Sequence, residues 1–126
     1  AARLCALRTS PELTEKLRNL VDRLAATDDV LTKQDIDLEF WAAVVLGSQN
    51  IGYRLAYNGL VTTYRPLREV IAAVVEPELR NLAGHQRIVD AISKGNTKAA
   101  EKSARALLES SSSEWAELLN ALESTS

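Results

Sequence analysis

Apolar residues recur at helical spacing along much of the chain, and this pattern limits the fold more than any other feature of the sequence. Ser10-Pro11-Glu12 is typical of a helix start, because serine caps well, proline suits the first helical position and glutamate favours the positive end of the dipole. The residues that then fall on one face are Leu13, Leu17, Leu20, Val21 and Leu24. Aromatic residues are only 5% of the chain, and Leu and Ala, which supply its apolar content, favour helices. The pattern predicts an all-α protein.

About six helices are predicted, joined by short connections. Their ranges are Ala1–Arg8, Pro11 to about Thr27, Lys33–Leu46, Ile51 to about Val75, Pro77–Gly95, and a last helix from an Asn96 cap to Leu122. The first has no capping residue before it, so we expect a truncated helix. Pro66 should kink or interrupt the fourth. The serine run 110–113 favours a bend in the sixth, although a solvated face is the simpler interpretation. Without hairpin signals, the natural architecture is an antiparallel helical bundle around one core.

Charge and composition limit the classes of partner. The 126 residues suit one domain, and 15 basic residues against 17 acidic ones give a net charge of -2. A chain that binds DNA by itself usually has a basic face, so this chain alone is a poor DNA binder. No apolar run approaches a membrane span and no signal peptide is evident, so we expect a cytoplasmic protein with no membrane partner. Cys5, the single cysteine, is expected to be a small buried apolar residue.

Two polar residues are predicted to meet inside the bundle. His85 lies between Leu82 and Ile88 on the apolar stripe of its helix, so its imidazole should point inward. A buried imidazole needs a hydrogen-bond partner, and Asp37 supplies one if the third and fifth helices face each other. Trp41, four residues after Asp37, lies on the same face. These residues form either a satisfied core pair beside a core tryptophan or the polar floor of an effector pocket.

The fourth helix carries a second set of candidate residues. Asn58, Thr62 and Arg65 follow Leu55 at helical spacing. The amide and hydroxyl are suited to hydrogen-bond an effector, and the guanidinium to pair with a carboxylate. A solvated edge or a seam between helices is the alternative interpretation of such a polar face.

Several short motifs occur in an order that resembles one family. They are the segments 2–4 and 8–12, the motif Asp37-x-x-Phe40-Trp41, the turn 47–50 (Gly-Ser-Gln-Asn), His85 followed by the dipeptide 91–92 (Ala-Ile), and the dipeptide 95–96 (Gly-Asn). Together they resemble the ligand-binding FCD domain of FadR-type GntR transcription regulators. The resemblance implies that residues 1–126 form an effector-binding and dimerisation domain. It also implies that DNA is bound only through an upstream winged-helix domain that is absent from this chain.

In many FCD relatives one Asp and three His bind a divalent metal. The resemblance places Asp37, Trp41, His85 and approximately Leu107 at those positions, and His85 is the only histidine. Two ligands rarely hold a metal, so we expect Asp37 and His85 to be vestigial, with no metal and no cofactor. Trp41 would make any cavity more apolar. The segment 53–60 also resembles the matching helix of acyl-CoA-responsive members, which implies an apolar or carboxylate-bearing effector such as a fatty acid or acyl-CoA.

The resemblance therefore implies a homodimeric regulatory domain that binds a small-molecule effector and is not an enzyme. Two alternatives stay open. The first is a structural dimerisation module with a filled core, which an effector-sized cavity would argue against. The second is a small enzyme that uses the pair of Asp37 and His85 as a general base, although no nucleophile or phosphate-binding glycine loop accompanies the pair.

Overall fold

The chain folds into a bundle made of helices. The computed structural model describes residues 1–125, apart from the side chains of Tyr64, Ser112, Leu118, Leu119, Leu122, Ser124 and Thr125. Within this range the regular structure is helical and strands are absent, which confirms the predicted all-α class. The α-helices of this range are α1 (Ala2–Leu7), α2 (Pro11–Ala26), α3 (Val30–Gly47), α4 (Ile51–Tyr64), α5 (Arg68–Val74), α6 (Glu76–Arg80), α7 (Leu82–Ser93), α8 (Thr97–Glu109) and α9 (Ser112–Thr125).

Polar side chains fix where the helices begin. Ser10 caps α2 as predicted, with its hydroxyl accepting from the backbone N–H of Leu13 at 3.2 Å. Asp29 caps α3 in the same way, so that helix begins at Val30 and not at Lys33. Side-chain oxygens of further asparagine caps accept backbone N–H groups at the starts of α4, α7 and α8: Asn50, Asn81 and Asn96.

Each of the last three predicted helices is divided in two. A 3-10 turn at Arg65–Leu67 separates α4 from α5, which confirms the interruption expected at Pro66. The fifth helix was predicted as one continuous element, and this prediction is wrong. It breaks at Asn81, whose side chain accepts from the N–H of Gly84 at 2.9 Å and starts a new helix.

The predicted sixth helix ends at Glu109, and α9 begins at Ser112. Ser111 is fully buried at this break, and its hydroxyl accepts a hydrogen bond from the backbone N–H of Glu78 at 3.2 Å. The amide of Asn81 donates to the hydroxyl of Ser110 at 3.0 Å. The expectation of a solvated serine face is therefore wrong for Ser111, because the break between α8 and α9 packs against the break between α6 and α7.

The core lies among α1, α2, α3, α7 and α8, which contact one another. Its fully buried side chains include Cys5, Leu17, Phe40, Val44, Ile88, Ile92 and Leu107, so the expected burial of Cys5 is confirmed. Helix α4 is different, because none of its described side chains is buried and it packs against α3. In the described part of the chain, no helix has the length and apolar character needed to cross a membrane.

Candidate functional site

The predicted contact between α3 and α7 is present in the centre of the bundle. Nε2 of His85 lies 2.7 Å from Oδ1 of Asp37. The imidazole is fully buried and the aspartate is 7% exposed. Nδ1 of His85 lies 2.9 Å from the backbone carbonyl oxygen of Asn81. A carbonyl oxygen only accepts, so Nδ1 carries a hydrogen and Nε2 is the nitrogen that faces the carboxylate.

A third ionisable residue joins this pair, and the sequence reasoning missed it. Glu78 of α6 is 6% exposed, and one oxygen of its carboxyl group lies with the Asp37 oxygen and the His85 nitrogen in a group whose atoms are all within 4.8 Å of one another. Burial and the charge of Asp37 raise the pKa of Glu78 from 4.5 to about 8. We call Asp37, Glu78 and His85 the buried polar cluster.

Trp41 packs against the core and contacts the cluster on one side. Its indole Nε1–H donates to Oε1 of Glu78 at 3.1 Å, while its ring is half-buried. The Phe40 ring packs edge-on against both the Trp41 ring and the His85 imidazole, with centroids 5.5 and 5.1 Å away. Leu107 is fully buried in the core. Phe40 and Trp41 thus contact a cluster whose three residues are each at most 7% exposed.

A groove lies beside the cluster, between α3, α4 and α5. Its volume is about 390 Å³, within the range of small-ligand sites. Its apolar lining consists of Leu38, Leu60, Val61 and Ile71. Its polar lining includes Tyr57 and the cations Arg65 and Arg68. Gln34 and the carboxylate of Asp35 also line it, so this α3–α4–α5 groove combines an apolar wall with two arginines and one aspartate, a net positive charge.

Tyr57 lies between the groove and the buried polar cluster. It lines the groove, and its hydroxyl donates to the backbone oxygen of Leu38 at 2.7 Å. Burial, together with the nearby charges of Asp37 and Glu78, raises the pKa of Tyr57 above its ordinary value. The phenol therefore stays neutral and serves as a hydrogen-bond donor on the wall shared by the two sites.

The residues predicted on the fourth helix are distributed over two surfaces. Arg65 lines the groove. Asn58 and Thr62 are exposed and do not line it, and the Thr62 hydroxyl donates to the backbone oxygen of Asn58 at 3.0 Å. The structure thus brings Asp37, Trp41 and His85 together and places Arg65 in the adjacent groove. It leaves Asn58 and Thr62 on an outer face.

Comparison with known proteins gives this geometry a family context. The model of the FCD domain matches residues 1–110. The chain belongs to the FCD domain family. It is also 32% identical over 108 residues to the HTH-type transcriptional regulator Mce2R of Mycobacterium tuberculosis, and to the same extent to an uncharacterized HTH-type transcriptional regulator of Mycobacterium bovis. Each match covers 86% of this chain and 45% of the relative, so the chain spans about half the length of the curated relatives that it matches. No solved structure shows significant similarity to the chain.

Family membership makes the composition of the buried polar cluster informative. The expectation that this FCD domain binds no metal rested on a count of two ligands, Asp37 and His85. The structure brings Glu78 to the same point, so the count of available donors is three. Two oxygens and one imidazole nitrogen are an accepted donor set for a divalent metal. The donors that are present therefore fit a metal, although they are not the family's set of one aspartate and three histidines.

Proposed function

We propose that the chain is the effector-binding and dimerisation domain of a GntR/FadR-type transcription regulator that acts in the cytoplasm. A small amphipathic carboxylate, of which a fatty acid is the simplest example, binds in the α3–α4–α5 groove. Its binding changes the affinity for DNA of a winged-helix domain elsewhere in the full protein. FCD family membership and the similarity to transcriptional regulators support the regulatory role.

One observation carries the choice of effector, namely the combination of apolar wall and cations in the groove. Leu60 and Val61 provide apolar surface for an aliphatic chain. Arg68 is held in place, because its guanidinium pairs with Asp35 at 2.8 Å and donates to the Leu31 carbonyl oxygen at 3.1 Å. Arg65 lines the same groove, so it supplies positive charge for a carboxylate at the groove's polar end.

Helix α4 offers a route from the groove to a dimer interface. Its groove side carries Tyr57 and Val61, while Ile51 and Leu55, on a different side, are 75% and 65% exposed. An exposed apolar face of this kind is suited to pair with itself across a two-fold axis. We propose that a second copy of the chain covers it. An effector that binds one side of α4 then favours one arrangement of the dimer, which is what coupling requires.

The test of the effector is a direct binding measurement. Isothermal titration calorimetry of the chain with dodecanoate should show saturable binding, and dodecanol should bind more weakly because it lacks the carboxylate. Arg65→Gln should weaken dodecanoate binding about tenfold, the loss expected for one charge-assisted hydrogen bond. Arg105→Gln is the matched control, since Arg105 is exposed on α8 and pairs only with Glu101 among the recorded ion pairs of the described residues.

The results separate this proposal from the structural alternative. If neither dodecanoate nor shorter fatty acids bind, the proposed effector class is wrong and the structural dimerisation module is favoured. Sedimentation equilibrium tests the dimer independently: Leu55→Glu should shift the chain toward monomer, and Leu108→Glu, at an exposed site on α8, should not. A wild-type chain that is monomeric at high concentration would contradict the interface.

A further inference from the structure

Arg68, the first residue of α5, has two neutral partners and one charged partner on α3. Its Nε–H donates to Oε1 of Gln34 at 3.3 Å, and Nη2 donates to the backbone oxygen of Leu31 at 3.1 Å. Nη2 also lies 2.8 Å from Oδ2 of Asp35. The side chain of Gln34 returns a hydrogen bond to the backbone oxygen of Arg68 at 3.3 Å. The neutral partners therefore fix the guanidinium without neutralising its charge.

The charged partner is the one that a ligand can replace. The Leu31 oxygen belongs to the backbone of α3, and Gln34 is only 7% exposed, so both are held in place. The side chain of Asp35 is 57% exposed, and ion pairs at such exposure are weak because water and salt screen them. Asp35 and Arg68 both line the α3–α4–α5 groove. An exposed carboxylate of the chain thus lies on a fixed guanidinium inside the proposed effector site.

The donors of Arg68 show why a second carboxylate competes with the first. A carboxylate binds arginine most strongly through two parallel N–H···O bonds. Nε already donates to Gln34, so the remaining edge for such a contact is formed by Nη1 and Nη2. Both hydrogens of Nη2 are engaged, by Leu31 and Asp35. A two-point contact from an effector therefore requires one acceptor to leave, and Asp35 is the acceptor that is free to move.

We propose that Asp35 occupies the carboxylate position of the groove when no effector is bound, and that the effector carboxylate displaces it from Arg68. Until it is displaced, Asp35 repels an incoming anion and also occupies a cation that the anion would use. It therefore lowers the affinity of the groove for carboxylates and leaves the affinity for uncharged amphipathic ligands unchanged. This inference rests on the proposed function, because it concerns how the same groove selects its ligand.

The test is isothermal titration calorimetry of the wild type and Asp35→Asn with dodecanoate and with dodecanol. Asparagine keeps the size of the side chain and removes its charge. Asp35→Asn should bind dodecanoate about fivefold more tightly, since one exposed ion pair no longer competes. Its affinity for dodecanol should stay within about twofold, because an alcohol does not compete for the guanidinium. Asp90→Asn is the matched control and should bind both ligands as the wild type does: Asp90 is also 57% exposed and pairs with Arg18, and neither residue lines the groove.

A double variant shows whether the effect passes through Arg68. In an Arg68→Gln background, Asp35→Asn should change the dodecanoate affinity by less than about twofold. A fivefold gain in that background would overturn the exchange, because it would mean that Asp35 acts only through general repulsion. Circular dichroism checks that each variant is folded, and Arg68→Met, which keeps most of the aliphatic stem, replaces Arg68→Gln if the latter is not.

The outcomes for the single variant separate this inference from the proposed function. If the wild type binds dodecanoate and Asp35→Asn binds it equally or more weakly, the inference is overturned and the proposed effector class stands. Equal gains for dodecanoate and dodecanol also overturn it. Binding of dodecanoate by Asp35→Asn alone supports the exchange. If neither chain binds dodecanoate, the effector class and the exchange are both wrong.

Discussion

Nε2 of His85 lies 2.7 Å from Oδ1 of Asp37, and this contact joins α7 to α3 inside the bundle. Removal of either partner leaves the other buried without its hydrogen bond. We therefore expect Asp37→Ala and His85→Ala each to lower the free energy of unfolding by about 3 kcal/mol. The double variant should lose less than the sum of the two. Urea unfolding of the four proteins in chelator measures both effects.

A surface ion pair provides the comparison for that cycle. Arg18 and Asp90 lie 3.3 Å apart, and both side chains are more than half exposed. Asp90→Ala should therefore change the free energy of unfolding by less than about 1 kcal/mol. Equal losses for the buried and the exposed aspartates would show that the contact between Asp37 and His85 contributes nothing particular to stability.

The pKa of Glu78 predicts how the metal-free chain responds to pH. Burial and the neighbouring Asp37 raise that pKa from 4.5 to about 8. Between these values the folded chain keeps a proton that the unfolded chain releases. The contribution of Glu78 to the free energy of unfolding should therefore be largest at or below pH 4.5. It should decrease as the pH rises to about 8. One proton contributes at most about 1.4 kcal/mol per pH unit.

Comparison of variants isolates this contribution from those of other groups. Urea unfolding in chelator across this pH window should show a shallower decline for Glu78→Gln than for the wild type. Glu76→Gln should keep the wild-type slope, because that residue is only part-buried and pairs with Arg80. Superimposable profiles for the wild type and Glu78→Gln would show that the buried carboxyl group does not hold the proton.

The sequence was sufficient to predict one part of the buried polar cluster but not all of it. Asp37 and His85 each lie on an apolar face at helical spacing, so their inward direction follows from periodicity alone. A signal for Glu78 was also present, since it precedes His85 by seven residues and would share its face in a continuous helix. Beside Pro77, however, an acidic residue is explained equally well by the helix dipole.

The break at Asn81 brings Glu78 close to His85. In one continuous helix, seven residues would separate the two by about 10 Å along the axis. The Asn81 side chain ends α6 and starts α7, and it also donates to Ser110 on a distant part of the chain. Contacts of this kind depend on the packed structure and are absent from local sequence patterns. For the same reason, the bundle was predicted correctly, whereas the division at Asn81 was not, and the division at Ser111 was anticipated only as a bend in a solvated serine run.

Two glycines should respond oppositely to the same substitution. An added Cβ at Gly47 would lie 2.5 Å from Leu13 Cδ2 and 2.8 Å from Cys5 Sγ, so Gly47→Ala should overpack the junction of α1, α2 and α3. We expect a loss of about 1–3 kcal/mol. An added Cβ at Gly59 meets no described atom within 4 Å, and this residue lies inside α4.

Gly59→Ala should therefore raise the stability by about 0.5–1 kcal/mol, because alanine loses less backbone entropy in a helix. Urea unfolding of the two variants beside the wild type gives both values. Equal changes of the same sign would mean that the close approach of Leu13 and Cys5 to Gly47 does not limit the packing there.

The thiol of Cys5 should report on opening of the same junction. The side chain is fully buried, and burial raises its pKa to about 11. Because only the thiolate attacks a disulfide reagent, the native chain should react with Ellman's reagent far more slowly than the chain in urea.

Gly47→Ala, which crowds Sγ, should speed the reaction of the folded chain by about tenfold if it costs 1.4 kcal/mol of local stability. Gly59→Ala is the control and should leave the rate within about twofold of the wild type or lower, since any change there is stabilising. Rapid modification of the folded wild-type thiol would contradict the burial of Cys5 between α1 and the end of α3.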